Sequence, residues 1–333
     1  MVEVKIRKTG GSLMADHPKH PAGTELFKRY SDNPILCARF MPYPASAVFN
    51  PAAALVGGET VLLSRVKDYR GISHLTTCRS LDGFSQWRVD PEPTFTADPN
   101  NHPEEVWGVE DPRATWIPEI GLWGVVYAAY SRQGHQICLA TTADFRTFER
   151  RGPIISPEDK NAALFPRRFK GKWALLHRPM VTQEDAHIWI SYSEDLAHWG
   201  DSNMILECRR GPWWDAQRVG TGPPPLETPE GWVLLYYGAR KTSTSSIYHV
   251  GLALLDLEEP QRVLRRSEDW VLGPREMYEM LGEEPNVVLP TGWVMEGEDA
   301  IRLYYGAADT CTAVATASLR EVLDYVLSCP KVA

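Results

Sequence analysis

Ser80-Leu81-Asp82-Gly83-Phe84-Ser85-Gln86-Trp87, Thr142-Ala143-Asp144-Phe145-Arg146-Thr147-Phe148 and Ser193-Glu194-Asp195-Leu196-Ala197-His198-Trp199 are copies of one motif: Ser or Thr, any residue, Asp, then an aromatic within five residues. Leu254-Leu255-Asp256 is a degraded fourth copy. Each copy ends a short alternating run, namely SHLTTCRS (73–80), QICLATTA (136–143), HIWISYS (187–193) and YHVGLALLD (248–256), with Ala313-Val314-Ala315-Thr316-Ala317 as a fifth run of similar character. Alternation with period two predicts strands, and an Asp at or within two residues of the end of the first four runs predicts an Asx-type turn closing each of them. A recurrence over tens of residues decides an architecture more firmly than local propensity does.

Upstream of each run lies a second apolar segment: VLLSRV (61–66), LWGVVYAAYS (122–131), KWALLHRP (172–179), GWVLLYYGA (231–239) and IRLYYGAAD (301–309). Five strand pairs thus recur about every fifty to seventy residues without the amphipathic helices that βαβ units need, so we expect an all-β, five-bladed β-propeller; a β-sandwich with similar hairpins is the alternative. The expected organisation is an N-terminal arm over 1–30, the propeller over 31–320, and a C-terminal helix and tail over 321–333, its apolar spacing running from Leu319 to Leu327. If these upstream segments line the channel, their exit ends bring Arg65, Tyr130, Ser131, His177, Arg178, Tyr237, Tyr304, Tyr305 and Asp309 to one mouth. Polar groups converging from separate blades point to a ligand site on the axis.

The 333 residues carry a formal net charge of -8 and are 43% hydrophobic and 23% charged, which suits a folded domain and disfavours phosphate backbones, so nucleic acid is not an expected partner. No apolar run approaches the roughly eighteen residues of a membrane span, and MVEVKIRKTG lacks the apolar stretch of a secretory signal. The six cysteines (Cys37, Cys78, Cys138, Cys208, Cys311, Cys329) contain no C-x-x-C pair, so reduced thiols and a cytoplasmic location are expected. The nine histidines show no metal-ligand spacing, and His17 and His20 read as part of a solvated arm; no metal or organic cofactor is expected. Twelve Trp and thirteen Tyr suit both sheet packing and stacking on sugar rings.

The most specific local string is Gly108-Val109-Glu110-Asp111-Pro112-Arg113. Pro112 should hold Asp111 extended and fix the direction of its carboxylate. A surface turn with an internal ion pair fits the same residues. The string does not stand alone. Asn33-Pro34, Val48-Phe49-Asn50-Pro51, the Gly108 to Arg113 segment, Leu164-Phe165-Pro166, His177-Arg178-Pro179, Gly222-Pro223-Pro224-Pro225 with Gly231-Trp232, and Tyr304-Tyr305-Gly306-Ala307-Ala308-Asp309 occur in this order. In this the chain resembles glycoside hydrolase family 130, over about residues 30 to 320.

That resemblance implies a five-bladed propeller enzyme acting on β-mannosides, mostly by inverting phosphorolysis, with inorganic phosphate as co-substrate and a small oligosaccharide as partner. It implies that Asp111 is the catalytic acid, protonating the leaving oxygen through a sugar hydroxyl. Arg65 and Asp309, with Glu110 and Tyr304, match substrate-holding positions; Asn50, Lys160, Arg178, Arg218 and Tyr237 match positions around phosphate. There are two departures: Tyr237 stands where the family usually has His, and Pro51 where a small polar residue often follows the Asn.

An inverting hydrolase needs an acid and a base carboxylate about 6.5 to 9.5 Å apart, whereas phosphate is already an anionic nucleophile and needs one acid plus a cationic cradle. Lys160, Arg178 and Arg218 supply three cations, which favours a phosphorylase. Glu227 is the candidate base if the chain is instead a hydrolase, although Thr228-Pro229-Glu230-Gly231 reads as an exposed turn beside it. A non-catalytic sugar-binding propeller and a furanoside-cleaving propeller are the remaining classes. Tyr43, Trp107, Trp213, Trp214 and Tyr278 are candidates for setting the leaving sugar, and the arm before Ser31 and the tail after Leu319 for covering a neighbouring copy in a homo-oligomer.

Overall fold

In a computed structural model, described here over residues 25–180 and 186–332, the chain forms five antiparallel sheets arranged as the blades of a propeller. His17, His20 and the arm up to residue 24 lie outside the described residues. Blade one runs Ala47–Val56, Glu59–Lys67, Ser73–Ser80, Arg88–Val89 from inside outward, blade two Val109–Ile117, Leu122–Ser131, Gly134–Thr142, Glu149–Pro153, and blade three Asp159–Leu164, Trp173–Pro179, Ile188–Ser193, Trp199–Leu206. Blade four has Arg218–Thr221 and Leu226–Thr228 on the inner edge, then Gly231–Lys241, Ser246–Leu255 and Val263–Arg266. Blade five has Val288–Glu296, Ala300–Ala307, Cys311–Ser318 and, as its outer strand, Lys28–Arg29.

The recurring motif does what its chemistry demands. Asp82 Oδ1 accepts the Phe84 and Ser85 amides (both 2.8 Å), Asp144 those of Arg146 and Thr147 (2.9 and 3.1 Å), Asp195 those of Ala197 and His198 (both 2.9 Å) and Asp256 those of Glu258 and Glu259 (both 3.0 Å). The degraded fourth copy therefore makes the same turn. The Ser or Thr hydroxyl adds a second acceptor, Ser80 for the Gly83 amide, Thr142 for Phe145 and Ser193 for Leu196 (2.9 to 3.0 Å), and those three receiving residues all take positive φ.

Alternation sends successive side chains of each second strand into different interblade cores. Leu62 joins the core shared with blade five and Leu63 the one shared with blade two; Leu175 and Leu176 divide between blades two and four, Leu234 and Leu235 between three and five. All six are fully buried, each contributing about 1.5 to 3 kcal/mol of transfer free energy. A one-residue slip in any of these strands would exchange both cores at once.

The innermost strand of each blade was not foreseen. The upstream segments read from the sequence as channel-lining are the second strands, and the channel is lined instead by Ala47–Val56, Val109–Ile117, Asp159–Leu164, Arg218–Thr221 and Val288–Glu296. The tail after Leu319 packs on its own chain. It forms the helix Leu319–Ser328, capped by Ser318 Oγ and burying Val322, Tyr325 and Val326 in the core between blades four and five.

The ring closes through Arg29. Its Nε and Nη2 reach the two Glu279 carboxylate oxygens at 2.7 and 3.0 Å, Tyr305 Oη donates to Glu279 Oε1 at 2.9 Å, and the Arg275 and Glu276 amides donate to Oε2 at 2.8 and 3.0 Å. The two side chains are 5% and 0% exposed, so breaking the pair strands a charge in the interior. Arg29→Ala should cost about 3–5 kcal/mol of stability; an unshifted denaturant midpoint would show that the N-terminal strand does not hold the ring.

Candidate active site

Register breaks in the inner strands between Phe49 and Ala52, Glu110 and Arg113, and Lys160 and Ala163, residues three apart whose partners on the second strand are only two apart, so that one extra residue is inserted in each. The first residue within the break is Asn50, Asp111 or Asn161, with φ of 48°, 49° and 55°. Asn and Asp tolerate this left-handed conformation best among residues with a side chain, and a bulge re-aims what it carries. Asp111 is therefore not extended as Pro112 led us to expect. The bulge overrides the preference imposed by the following proline and turns the carboxylate toward its partners on blade one.

Those partners are Asn50 and Arg65. Asn50 Nδ2 and Arg65 Nη1 both donate to Asp111 Oδ1 at 2.9 Å, Arg65 Nη2 lies 2.8 Å from Glu110 Oε1, and Arg65 Nε donates to Ser73 Oγ at 2.9 Å. The guanidinium also lies 4.7 Å over the Phe49 ring. Gly306 is obligatory beside this group, because a Cβ there would fall 1.9 Å from Asn50 Oδ1, a buried oxygen without a hydrogen-bond partner. Below it the fully buried Arg113 spans the axis, donating from Nε to Gly222 O of blade four at 2.8 Å and from Nη1 to the Asp111 and Pro112 carbonyls at 3.1 Å.

The second carboxylate oxygen of Glu110 faces His135 Nε2 at 3.4 Å and Lys160 Nζ at 3.7 Å. His135 stacks on Tyr130 with centroids 4.1 Å apart, and Trp107 meets Tyr130 edge-on. From blade three, Asn161 Oδ1 accepts Arg178 Nε at 3.2 Å and Tyr237 Oη at 2.9 Å, so Tyr237 belongs to this mouth although it departs from the family's usual His. Gly220 makes room for the Tyr237 ring, which would otherwise lie 2.4 Å from a Cβ. His177 is held between Asp159 (2.6 Å) and Ser191 (2.8 Å) beneath Arg178.

Charge is distributed unevenly across this mouth. Burial would raise both Glu110 and Asp111, but Arg65 and Lys160 outweigh it, holding Glu110 at about 2 and Asp111 well below the usual carboxylate range. Burial lowers Lys160, with the carboxylates only partly opposing it. Arg178 is different. It is 3% exposed, its guanidinium reaches only Asn161 and the Met180 sulfur (3.0 Å), and neither it nor Arg218 forms an ion pair among the described residues. Arg218 opens the inner strand of blade four at the same end, and Arg178 and Arg218 both bear on the Tyr248 hydroxyl, which burial pushes up to about 12.

Asp309, at φ 49° after the second strand of blade five, is raised by burial to about 7 against the pull of Arg65, with Asp111 adding to the rise. Asp111, Glu110, Arg65, Lys160, Arg178, Tyr237, Asn50, Arg218 and Asp309 thus stand at one mouth, with Asn50 bonded to Asp111. Tyr304 does not join them: its hydroxyl donates to Gly83 O at 2.8 Å and its ring packs on Trp87 between blades five and one. Glu227 is also elsewhere, exposed and bonded to Arg167 at 2.8 Å, opposite Trp232 and so at the far end of the strand from Tyr237. Sequence reading missed Asn161 and His135. The recurrence Phe49-Asn50-Pro51, Glu110-Asp111-Pro112, Lys160-Asn161-Ala162 would have found the first; only the pairing of Tyr130 with His135 across the hairpin singles out the second.

A five-bladed propeller with buried carboxylates beside arginines that form no ion pair among the described residues belongs with the carbohydrate-cleaving propellers. A family model described as beta-1,4-mannooligosaccharide phosphorylase matches residues 24–328, and the chain belongs to that family, glycoside hydrolase family 130. It is 34% identical over 306 residues (89% of this chain, 98% of the relative) to a 1,2-beta-oligomannan phosphorylase of Thermoanaerobacter sp., and 31% identical over 314 residues (90% of each) to a beta-1,4-mannooligosaccharide phosphorylase of Ruminococcus albus. Among solved structures it is similar to a beta-1,2-mannobiose phosphorylase from Listeria innocua in complex with beta-1,2-mannobiose, with a TM-score of 0.82 and 30% identity over 90% of this chain and 99% of that one.

Asp309 sets a pH signature. Its folded-state value of about 7 lies above the ordinary 3.8, so the folded protein keeps a proton that the unfolded chain releases, and stability falls as pH rises through that window. Asp309→Asn removes the penalty. The melting temperature of the ligand-free variant, relative to wild type, should rise from about pH 5 to about pH 8; a flat difference would show that Asp309 ionises normally.

Proposed function

We propose that the protein catalyses inverting phosphorolysis of a β-mannoside, converting a β-mannosyl oligosaccharide and inorganic phosphate to mannose 1-phosphate and the shortened sugar. The observation that carries this is Arg178, a buried guanidinium with no carboxylate partner among the described residues. Such a charge is costly unless an anion completes it. Arg178, Arg218 and Lys160 receive the phosphate dianion. One phosphate oxygen attacks the anomeric carbon as the bond from that carbon to the leaving oxygen breaks on the opposite ring face. Asp111 supplies the proton for the leaving oxygen through a hydroxyl of the mannosyl unit, which Arg65 and Asp309 hold.

Arg65 serves two purposes in this scheme. In the free protein it keeps Asp111 ionised and holds its carboxylate in place. A dianion placed beside Lys160 and Arg178 opposes the cations that depress Asp111 and raises its proton affinity, so that Asp111 takes up a proton from solvent when phosphate binds and is armed as an acid only when the nucleophile is present. Tyr237, bonded to Asn161, fixes the amide that orients Arg178.

We also place the protein in the reducing cytoplasm, in keeping with six free cysteines, five of them buried. Among the described residues no helix is long and apolar enough to cross a membrane. A homo-oligomer is testable by light scattering.

Activity should require phosphate, saturate with it, and be inhibited by sulfate. Arg178→Ala removes charge-assisted hydrogen bonds of roughly 1.5–3 kcal/mol and should raise the phosphate KM about ten- to hundredfold while changing the mannoside KM far less. Cleavage at an undiminished rate in phosphate-free buffer, releasing free mannose, would make the protein a hydrolase, with Asp309 rather than Glu227 the base to test. Asp111→Asn should lower turnover about a hundredfold to ten-thousandfold on an unactivated substrate, and near-native turnover would overturn its assignment. A panel of β-1,2- and β-1,4-mannobiose and mannosyl-glucose assigns the linkage.

A further inference from the structure

A second cavity, of about 260 Å³, lies on the flank of blade four. It opens at the same end of the propeller as the axial site, since Arg240 in its wall lies three residues beyond Tyr237 on Gly231–Lys241. The sheet separates the two: Tyr248 packs with Tyr237, while its neighbour His249 faces the cavity. The floor is made by glycines. A Cβ at Gly238 or Gly251 would lie 2.5 Å from the Trp214 ring, which is thereby laid flat on the sheet, stacked on Tyr236 and tied by Nε1 to Glu268 O at 2.7 Å. A Cβ at Gly273 would lie 2.6 Å from the His249 ring.

Three features of this cavity lack an internal explanation. Trp213 and Trp270 in its wall are each 36% exposed, although Arg209 covers Trp213 at 4.5 Å and His249 lies 4.5 Å from Trp270. Arg240, Glu268 and Asp269, also in the wall, form no side-chain ion pair among the described residues. His249 Nδ1 is buried with no hydrogen-bond partner, a state that native structures rarely leave unanswered. Burial holds that imidazole down to about 4, so near neutral pH the ring is uncharged and can give or take one hydrogen bond at Nδ1.

Charges of both signs exclude a strongly charged ligand of either sign, and indole faces beside hydroxyl-sized donors and acceptors fit a neutral polyol with an apolar ring face. We propose that this cavity is a second carbohydrate site, binding a pyranose unit of a manno-oligosaccharide away from the axial site. The choice of mannoside rests on the function proposed above; the pyranose does not.

Isothermal titration with β-1,4-mannotetraose and β-1,2-mannotetraose in phosphate-free buffer tests this on wild type, Trp270→Ala and Asp309→Ala. Two sites are expected in wild type and one in each variant, with affinity at the flanking site falling about tenfold or more in Trp270→Ala. Turnover on a mannobiose with phosphate should stay within about twofold of wild type in Trp270→Ala, because the flanking site takes no part in chemistry. Trp213→Ala, at an equally exposed ring, repeats the measurement should Trp270→Ala misfold. A single site in wild type that Asp309→Ala alone abolishes would overturn the proposal, as would two sites surviving in both tryptophan variants. Binding that depends on Trp270 but not on Asp309, with no axial site detected, would uphold the flanking site while overturning the mannoside reading of the axis.

Discussion

A regular inner strand would alternate its side chains between two interblade cores, and none would point along the channel. Inserting residues at Asn50, Asp111 and Asn161 breaks that alternation at the same level in three consecutive blades. The left-handed backbone this requires costs on the order of 1–3 kcal/mol at each site. It is offset locally, since each inserted side chain is hydrogen-bonded: Asn50 and Asp111 to one another, Asn161 to Arg178 and Tyr237. The glycines at 220 and 306 are the counterpart on neighbouring blades, leaving room for what the bulges turn inward.

The result is a mouth with two halves of different charge character. On the side of blades one and two, Arg65 is saturated by Glu110 and Asp111. On the side of blades three and four, Arg178 and Arg218 have no carboxylate partner among the described residues. Lys160 stands between, near enough to Glu110 to be counted in the first half and to Arg178 to be lowered by it. A neutral sugar and a dianion can thus be sorted to opposite sides of one small space without any moving part.

Legibility in the sequence followed burial. The second and third strands of every blade could be read because their residues alternate between two cores, and in blades one to three they end in a turn whose Asp and hydroxyl announce themselves. The inner strands could not. AVFNPAAALV and VEDPRATWI are buried on both faces, interrupted by a bulge and carry a proline, so neither period two nor strand propensity marks them. That omission shifted the expected channel lining outward by one strand. It left Arg65, Arg178, Tyr237 and Asp309 correctly at the mouth, because second strands also end there, but it sent Tyr304 to the axis when its hydroxyl is committed to Gly83 on the neighbouring blade. The direction of Asp111 failed for the same reason: a rule for the residue before proline describes an uninterrupted chain, not a bulge. Charge pairing was beyond any sequence reading, since Glu110 and Lys160 are fifty residues apart in the chain and 3.7 Å apart at Oε2 and Nζ.

The outer strand of blade five comes from residues 28 and 29, whereas its other strands come from the far end of the chain. A ribosome delivers the chain in one direction, so Lys28–Arg29 emerges long before Cys311–Ser318, the strand it must pair with, has been made. Blades one to four can assemble on each other in order as they appear, each new sheet finding a finished neighbour. The first segment must wait unpaired through nearly the whole of synthesis. Its few residues of strand and the polar, charged character of Arg29 suit that wait, because an early-exposed strand of this kind offers little apolar edge for another nascent chain to capture. The making of Cys311–Ser318 thereby becomes the latch of the ring, and a chain cut short before it, lacking the partner strand, has no way to close it.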